Sequence, residues 1–180
     1  MVFPGGGVEE YDTSELARQA VPGRYEDFGY RVAALRELAE EVGLALTDAG
    51  TDVSPDEKGE ALLQAMGSRG TPFDAERLVM TSRWVTPEFA PRRFDTWFYL
   101  AEVGSPPPVR LDTAELVDHV WVTARDALDR HEAGDWKMFI PTIAHLEWLA
   151  ARSNVAEALE TAAAIDVLSL VLNQTPAEMT

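Results

Sequence analysis

At 180 residues, 46% of them hydrophobic, the chain is long enough for one ordinary domain with a real core and too short for two full ones. Its 31 acidic against 15 basic residues leave a formal charge of −16, which repels phosphate backbones and anionic membranes, so neither a nucleic-acid polymer nor a membrane is an expected partner. Having no cysteine, the chain can build no disulfide framework, thiolate zinc site or cysteine nucleophile, and it fits a reducing cytoplasm.

Residues 1–12 read as a strand end running into the glycine loop of FPGGGVEEYD, and TSELARQA, with its capping hydroxyls, as a short helix before Pro22-Gly23. From about Asp27 the pattern turns helical. Leu35, Leu38 and Val42 recur at spacings of 3, 4 and 7, which draws one apolar stripe, and Gly43 stands where a left-handed cap ends a helix. Leu44–Leu46 looks like a short strand. SPDEKGEALLQAMGSRG offers Ser54 as N-cap, Pro55 at the first helical position and Gly67 near the end, so about three turns of helix are expected. Two runs rich in β-branched and aromatic residues, Arg77–Thr86 and Phe94–Val103, predict a pair of strands, and Glu115–Thr123 alternates like a half-buried one. ARDALDRHEAG, IPTIAHLEWLAARS and NVAEALETAAAIDVLSLVL then read as helices. No apolar run approaches the length of a membrane span, and MVFPGGG has no leader character. The order is mixed α+β with a helical last third.

Within the third of these elements, RELAEEVGL places Glu37, Glu40 and Glu41 at i, i+3 and i+4, on one side of the helix and away from the apolar stripe. Three like charges in one turn repel unless water screens them or a cation sits among them. A solvated helix face is the ordinary reading of such a cluster. As ligands, carboxylate oxygens suit Mg²⁺ or Mn²⁺ rather than zinc. Arg36 can pair with Glu40 one turn on, or hold Glu37 in one rotamer through a forked bond.

RELAEEVGL resembles the second half of the Nudix box, G-x5-E-x7-R-E-U-x-E-E-x-G-U with U aliphatic, at every specified position. FPGGGVEEYD resembles the first half: with Gly6 as the opening glycine, the box glutamate falls on Asp12. Between Asp12 and Arg36 lie 23 residues where the pattern has seven, so the box is split by an insert within about 13–35. This is similar to the branch of Nudix hydrolases that includes peroxisomal coenzyme A diphosphatases, as are RRFDTWFYLAEV and ELVDHVWVTARDAL followed by IPTI.

What the resemblance implies is an α/β/α sandwich of Nudix type with a mixed sheet, here lacking N-terminal strand(s) because Met1 stands just before the glycine loop. It implies a Nudix-like domain over 1–150; the extra C-terminal helices over 151–180 are read from the residue pattern alone. The implied activity is metal-dependent hydrolysis of a phosphoanhydride in a nucleoside diphosphate linked to another moiety. Coenzyme A or an acyl-CoA is the first substrate, with nucleotide sugars, NADH and simpler nucleoside diphosphate derivatives behind. The implied metal ligands for Mg²⁺ or Mn²⁺ are the Gly6 carbonyl, Glu37, Glu40 and Glu41. Glu37 or Glu41 would act as base, and Arg36 would orient Glu37. A further glutamate from outside the box, Glu102 or Glu115, is a candidate helper. A small-molecule diphosphate is the expected partner, and a homodimer is a compatible assembly. The rival is a Nudix-fold binding or regulatory module without turnover.

Other features weigh less. PGGG lacks the Gly-Lys-Ser/Thr of a P-loop, His131-Glu132 has no second histidine four residues on, and His119 and His145 are isolated.

Overall fold

The computed structural model describes residues 1–48, 57–86, 88, 92–104, 109–110, 117–166 and 171–173. Contacts group the chain into two compact units: a helical unit of Pro4–Leu78 with Glu102–Trp121, and a sheet unit of Met1–Phe3, Val79–Ala101 and Val122–Thr180.

In the helical unit the glycine loop runs not out of a strand but into a 3-10 turn, Glu10–Thr13. Helix α1 (Glu15–Ala20) follows, and the Ser14 hydroxyl accepts the Ala17 N–H as its cap. Helix α2 (Phe28–Val42) matches the periodic stretch: Leu35 and Val42 are buried, Leu38 is half-buried, and Gly43 ends the helix at φ 72. A residue with a β-carbon is strained there, so glycine is the residue the turn requires. The segment between the two halves of the carboxylate motif is tied into the unit. Arg31 ion-pairs with Asp27 and donates to the carbonyls of Ala75 and Leu78, and the Tyr25 hydroxyl donates to Glu76 at 2.8 Å. Burial, together with that bond, pushes the Tyr25 hydroxyl up to about 12.

Helix α3 (Gly59–Ser68) begins at Lys58 as N-cap; Ser54 and Pro55, expected to start it, lie outside the described residues. It packs on α1, and Ala17 and Ala20 of α1 and Leu62, Leu63 and Met66 of α3 are all buried. Each of the three larger side chains contributes roughly 2 kcal/mol by leaving water. A β-carbon on Gly67 would lie 3.1 Å from Gln19 Cβ and 3.4 Å from its carbonyl carbon, so the two helices meet almost backbone to backbone. The Leu44–Leu46 strand is not formed as such. Its residues are buried, but pairing is confined to isolated bridge positions, Ala45 and Thr47, the latter antiparallel to Phe73. The expected strand over Glu115–Thr123 is also corrected: residues 117–123 are not strand, and Val117, Val120 and Trp121 stand exposed, while Glu115 lies outside the described residues. Alternation produces a half-buried strand only where a sheet face receives it.

In the sheet unit β1 (Val79–Val85) pairs antiparallel with β2 (Asp95–Leu100), from Val79 opposite Leu100 to Val85 opposite Asp95, with one irregularity between Met80 and Ser82. A third strand, β3 (Val171–Asn173), runs parallel to β1 and gives the order β2-β1-β3. This corrects the last helical expectation. Helix α6 (Val155–Ala163) stops well before Leu172, and β1 claims the β-branched end of the run for the sheet. Helices α4 (Ala124–Glu132) and α5 (Ile140–Ala150) start where expected; Thr123, placed by the sequence at a strand end, caps the first, and Pro141 stands in the first turn of the second. Ala127, Leu128 and Leu146 form their shared core, and Met1 and Phe3 pack on it. The Met1 ammonium donates to the Lys137 carbonyl at 2.8 Å. No helix among the described residues is long and apolar enough to cross a membrane.

His145 lies in this unit, stacked on Phe98 with ring centroids 4.3 Å apart. The Pro141 carbonyl, 2.6 Å from Nδ1, can only accept, so that nitrogen carries the proton and Nε2 accepts the Ser82 hydroxyl at 2.8 Å. Burial holds the imidazole below its ordinary pKa against the upward pull of the Pro141 carbonyl. The unfolded chain therefore takes up the proton first. Stability is fully present above the ordinary histidine value of about 6.5 and is lost as pH falls from there through the lower folded value. Urea unfolding at pH 7.5 and 5.5 is expected to show wild type losing more stability on acidification than His145→Phe. Equal losses would mean that His145 does not govern that window.

Candidate functional site

The helical unit brings the two separated halves of the carboxylate motif together. Each glycine of the loop meets a different group of α2. The Gly5 N–H donates to Glu41 Oε2 at 3.0 Å, a β-carbon on Gly6 would overlap the Glu37 carboxylate, and the Gly7 carbonyl accepts from Arg36 Nη2 at 3.0 Å. At position 6 the constraint is this close approach rather than a turn: any larger residue would push the Glu37 carboxylate aside.

Arg36 is the clasp between the halves. Its Nε and Nη2 fork onto Asp12 Oδ1 and Oδ2, both at 2.9 Å, and Nη1 donates to Glu37 Oε1 at 2.6 Å. Asp12 is 0% exposed and Arg36 2%, so this pair sits away from the water that weakens surface ion pairs. Burial alone would lower the arginine's pKa, but the bonds to Asp12 and Glu37 outweigh it and raise it further, so Arg36 is permanently charged. The Tyr11 ring lies 5.3 Å under the guanidinium. Asp12 therefore does not stand among the glutamates as a ligand; it anchors the arginine, and its Oδ2 also accepts the Glu9 N–H at 2.8 Å. The Arg36–Glu40 approach, at 3.6 Å, is the looser of the two pairings weighed for Arg36.

Glu40 Oε1 accepts the N–H of Gly59 at 2.8 Å. Burial pushes its carboxyl above the ordinary value, against the opposing pull of Gly59 and Arg36. Glu102, one of the two candidate helpers, is exposed, and its carbonyl accepts from Arg77. Tyr11 and Gly59 were not foreseen. Nothing in EEYD or EKGE marks either as a neighbour of α2, since both contacts depend on how distant segments fold back.

Glu37, Glu40 and Glu41 are thus each held by a protein donor, and among the described residues no three carboxylate or imidazole groups converge as a ligand set. The donors nevertheless fit a hard divalent cation in kind. They are oxygen only, they lie on one helix edge, and the glycine loop approaches that edge where no β-carbon intervenes.

No family profile matches the chain. Among solved structures, a NUDIX hydrolase from Alicyclobacillus acidocaldarius superposes with a TM-score of 0.72 at 35% identity, over 88% of this chain and 79% of that one. A Caenorhabditis elegans protein described as nudix hydrolase 7 is 30% identical over 158 residues, which is 83% of this chain and 50% of the relative. The human acyl-coenzyme A diphosphatase NUDT19 is 29% identical over 128 residues, 58% of this chain and 34% of the relative. The chain spans half or less of the length of these two curated relatives. With a Nudix structure matched over most of both chains, and the split box closed in space by Arg36 and Asp12, the chain belongs to the Nudix hydrolase family.

Proposed function

We propose that this chain hydrolyses a phosphoanhydride bond in a small nucleoside diphosphate derivative, with coenzyme A or an acyl-CoA as the first substrate. The observation that carries the reading is the closure of the split motif: the glycine loop lies against Glu37 and Glu41 across the insert. The acyl-CoA choice draws on the similarity to the human diphosphatase. The residues that would hold Mg²⁺ or Mn²⁺ are the Gly6 carbonyl, Glu37, Glu40 and Glu41. When bound, such an ion offsets the negative charge that makes a diphosphate resist attack.

The chain's own groups have separable tasks. Glu41 and Glu37 are the candidate bases for the proton of an attacking water. Arg36, anchored by Asp12, fixes the Glu37 rotamer and keeps the glycine loop docked through Gly7. Gly5 does the same for Glu41.

A binding module without turnover is the second reading, favoured by the engagement of all three glutamates with protein donors. A panel of coenzyme A, acyl-CoA, NADH, ADP-ribose and nucleotide sugars, incubated with and without Mg²⁺ or Mn²⁺ and resolved by chromatography, separates the two. Cation-dependent release of a nucleoside monophosphate, or of 3′,5′-ADP from coenzyme A, supports the hydrolase. Cation-dependent binding with no product supports the module.

A further inference from the structure

Glu40 differs from its neighbours in where its partner comes from. Its donor, the Gly59 N–H, is the first residue of α3 rather than part of the glycine loop or of α2 itself. Gly59 sits at φ +55, a conformation that leaves out a β-carbon, and one placed there would meet the Tyr11 hydroxyl at 3.3 Å. Tyr11 in turn lies under Arg36. The start of α3 is thus set against the motif by Tyr11 and Glu40 together. The far end of α3 is set by the insert, because Gly67 lies against Gln19 of α1 with only 3.1 Å left for a β-carbon. Between those ends α1 and α3 pack together, and Ala17 and Ala20 of the one and Leu62, Leu63 and Met66 of the other are buried.

We propose that α3, docked by the inserted helix α1, is the positioning element for Glu40. The Gly59 N–H occupies Oε1 and leaves the second oxygen to the cation, so the insert that splits the motif also supports it. This inference rests on the metal reading above. A ligating carboxylate held by a hydrogen bond on its other oxygen is already in one rotamer before the ion arrives, and loss of such a support typically weakens metal affinity by about 10- to 100-fold.

The test titrates the full chain with Mn²⁺, following the free-ion signal by electron paramagnetic resonance, and records the Gly59 amide in ¹H–¹⁵N spectra. Gly67→Val wedges α3 from α1 without touching the motif. It is expected to weaken Mn²⁺ binding about tenfold and to shift the Gly59 resonance, whereas in a Glu40→Gln background the same wedge changes affinity by no more than about twofold. Equal affinity in wild type and Gly67→Val overturns the proposal, as does an equal loss in both backgrounds, which would mark a merely structural effect. Should Gly67→Val not fold, Gly67→Ala, which asks its neighbour to give by tenths of an ångström, carries the same comparison. Wild type binding that Glu40→Gln leaves unweakened overturns this inference while the metal reading stands. Wild type that binds no Mn²⁺ overturns both.

Discussion

Replacing Glu41 by glutamine is expected to lower kcat on a diphosphate substrate about a thousandfold while shifting stability by no more than about 0.5 kcal/mol. Glutamine keeps the shape of the side chain and an oxygen that can accept the Gly5 N–H, so the contact that docks the glycine loop survives. What disappears is the negative charge, and with it, on the proposed reading, both the capacity to take a proton from water and one fully charged oxygen for a cation. Its loss also relieves repulsion, because Glu37 and Glu41 are neighbours one turn apart on α2 and like charges at that spacing destabilise a helix. Steady-state kinetics and urea unfolding on the same preparation check the two halves of the expectation. An unfolded inactive variant would show that Glu41 serves structure, and a fully active one would remove it from the chemistry.

The second large effect is on stability. Asp12→Ala is expected to cost about 3–5 kcal/mol, because it strips the two forked bonds from an arginine that remains charged and enclosed. Asp12→Asn, which retains an acceptor, falls between wild type and alanine. The double variant Asp12→Leu with Arg36→Met recovers most of the loss, since two apolar side chains of similar size need no partners. Circular dichroism at 222 nm during urea unfolding gives the three comparisons. A loss below about 1 kcal/mol in Asp12→Ala would place the pair with ordinary surface ion pairs and sink the clasp.

Much of this was legible in the residues, and what was not has a common cause. Helix α2 could be read because its apolar stripe and its Gly43 cap are local, and the cap needs nothing beyond a left-handed turn. The β1–β2 pair follows from composition and a short connection. The carboxylate edge could be read for the same reason, since i, i+3 and i+4 fix which side chains share a face. The task of Asp12 could not, because its partner lies 24 positions on and the two meet only once the intervening insert has folded back. Val171–Asn173 failed for a related reason. The alanine-rich run before it favours helix, and only β1, far upstream, makes its backbone worth extending. The alternating stretch at 117–121 failed in the opposite sense, carrying the pattern of a strand without the sheet pairing that would use it.

The parallel pairing of Arg83 with Val171 also sets a timetable for biosynthesis. Residues 1–3, 79–101 and the segment from 122 onward must meet to complete the sheet unit, so it cannot close until residues 171–173 have emerged from the ribosome. The glycine loop, α1, α2 and α3 all lie before residue 79 and have most of their partners much earlier. The acidic edge is therefore assembled while β1 still waits with one side bare, and a stalled nascent chain at that stage would be the species most exposed to aggregation.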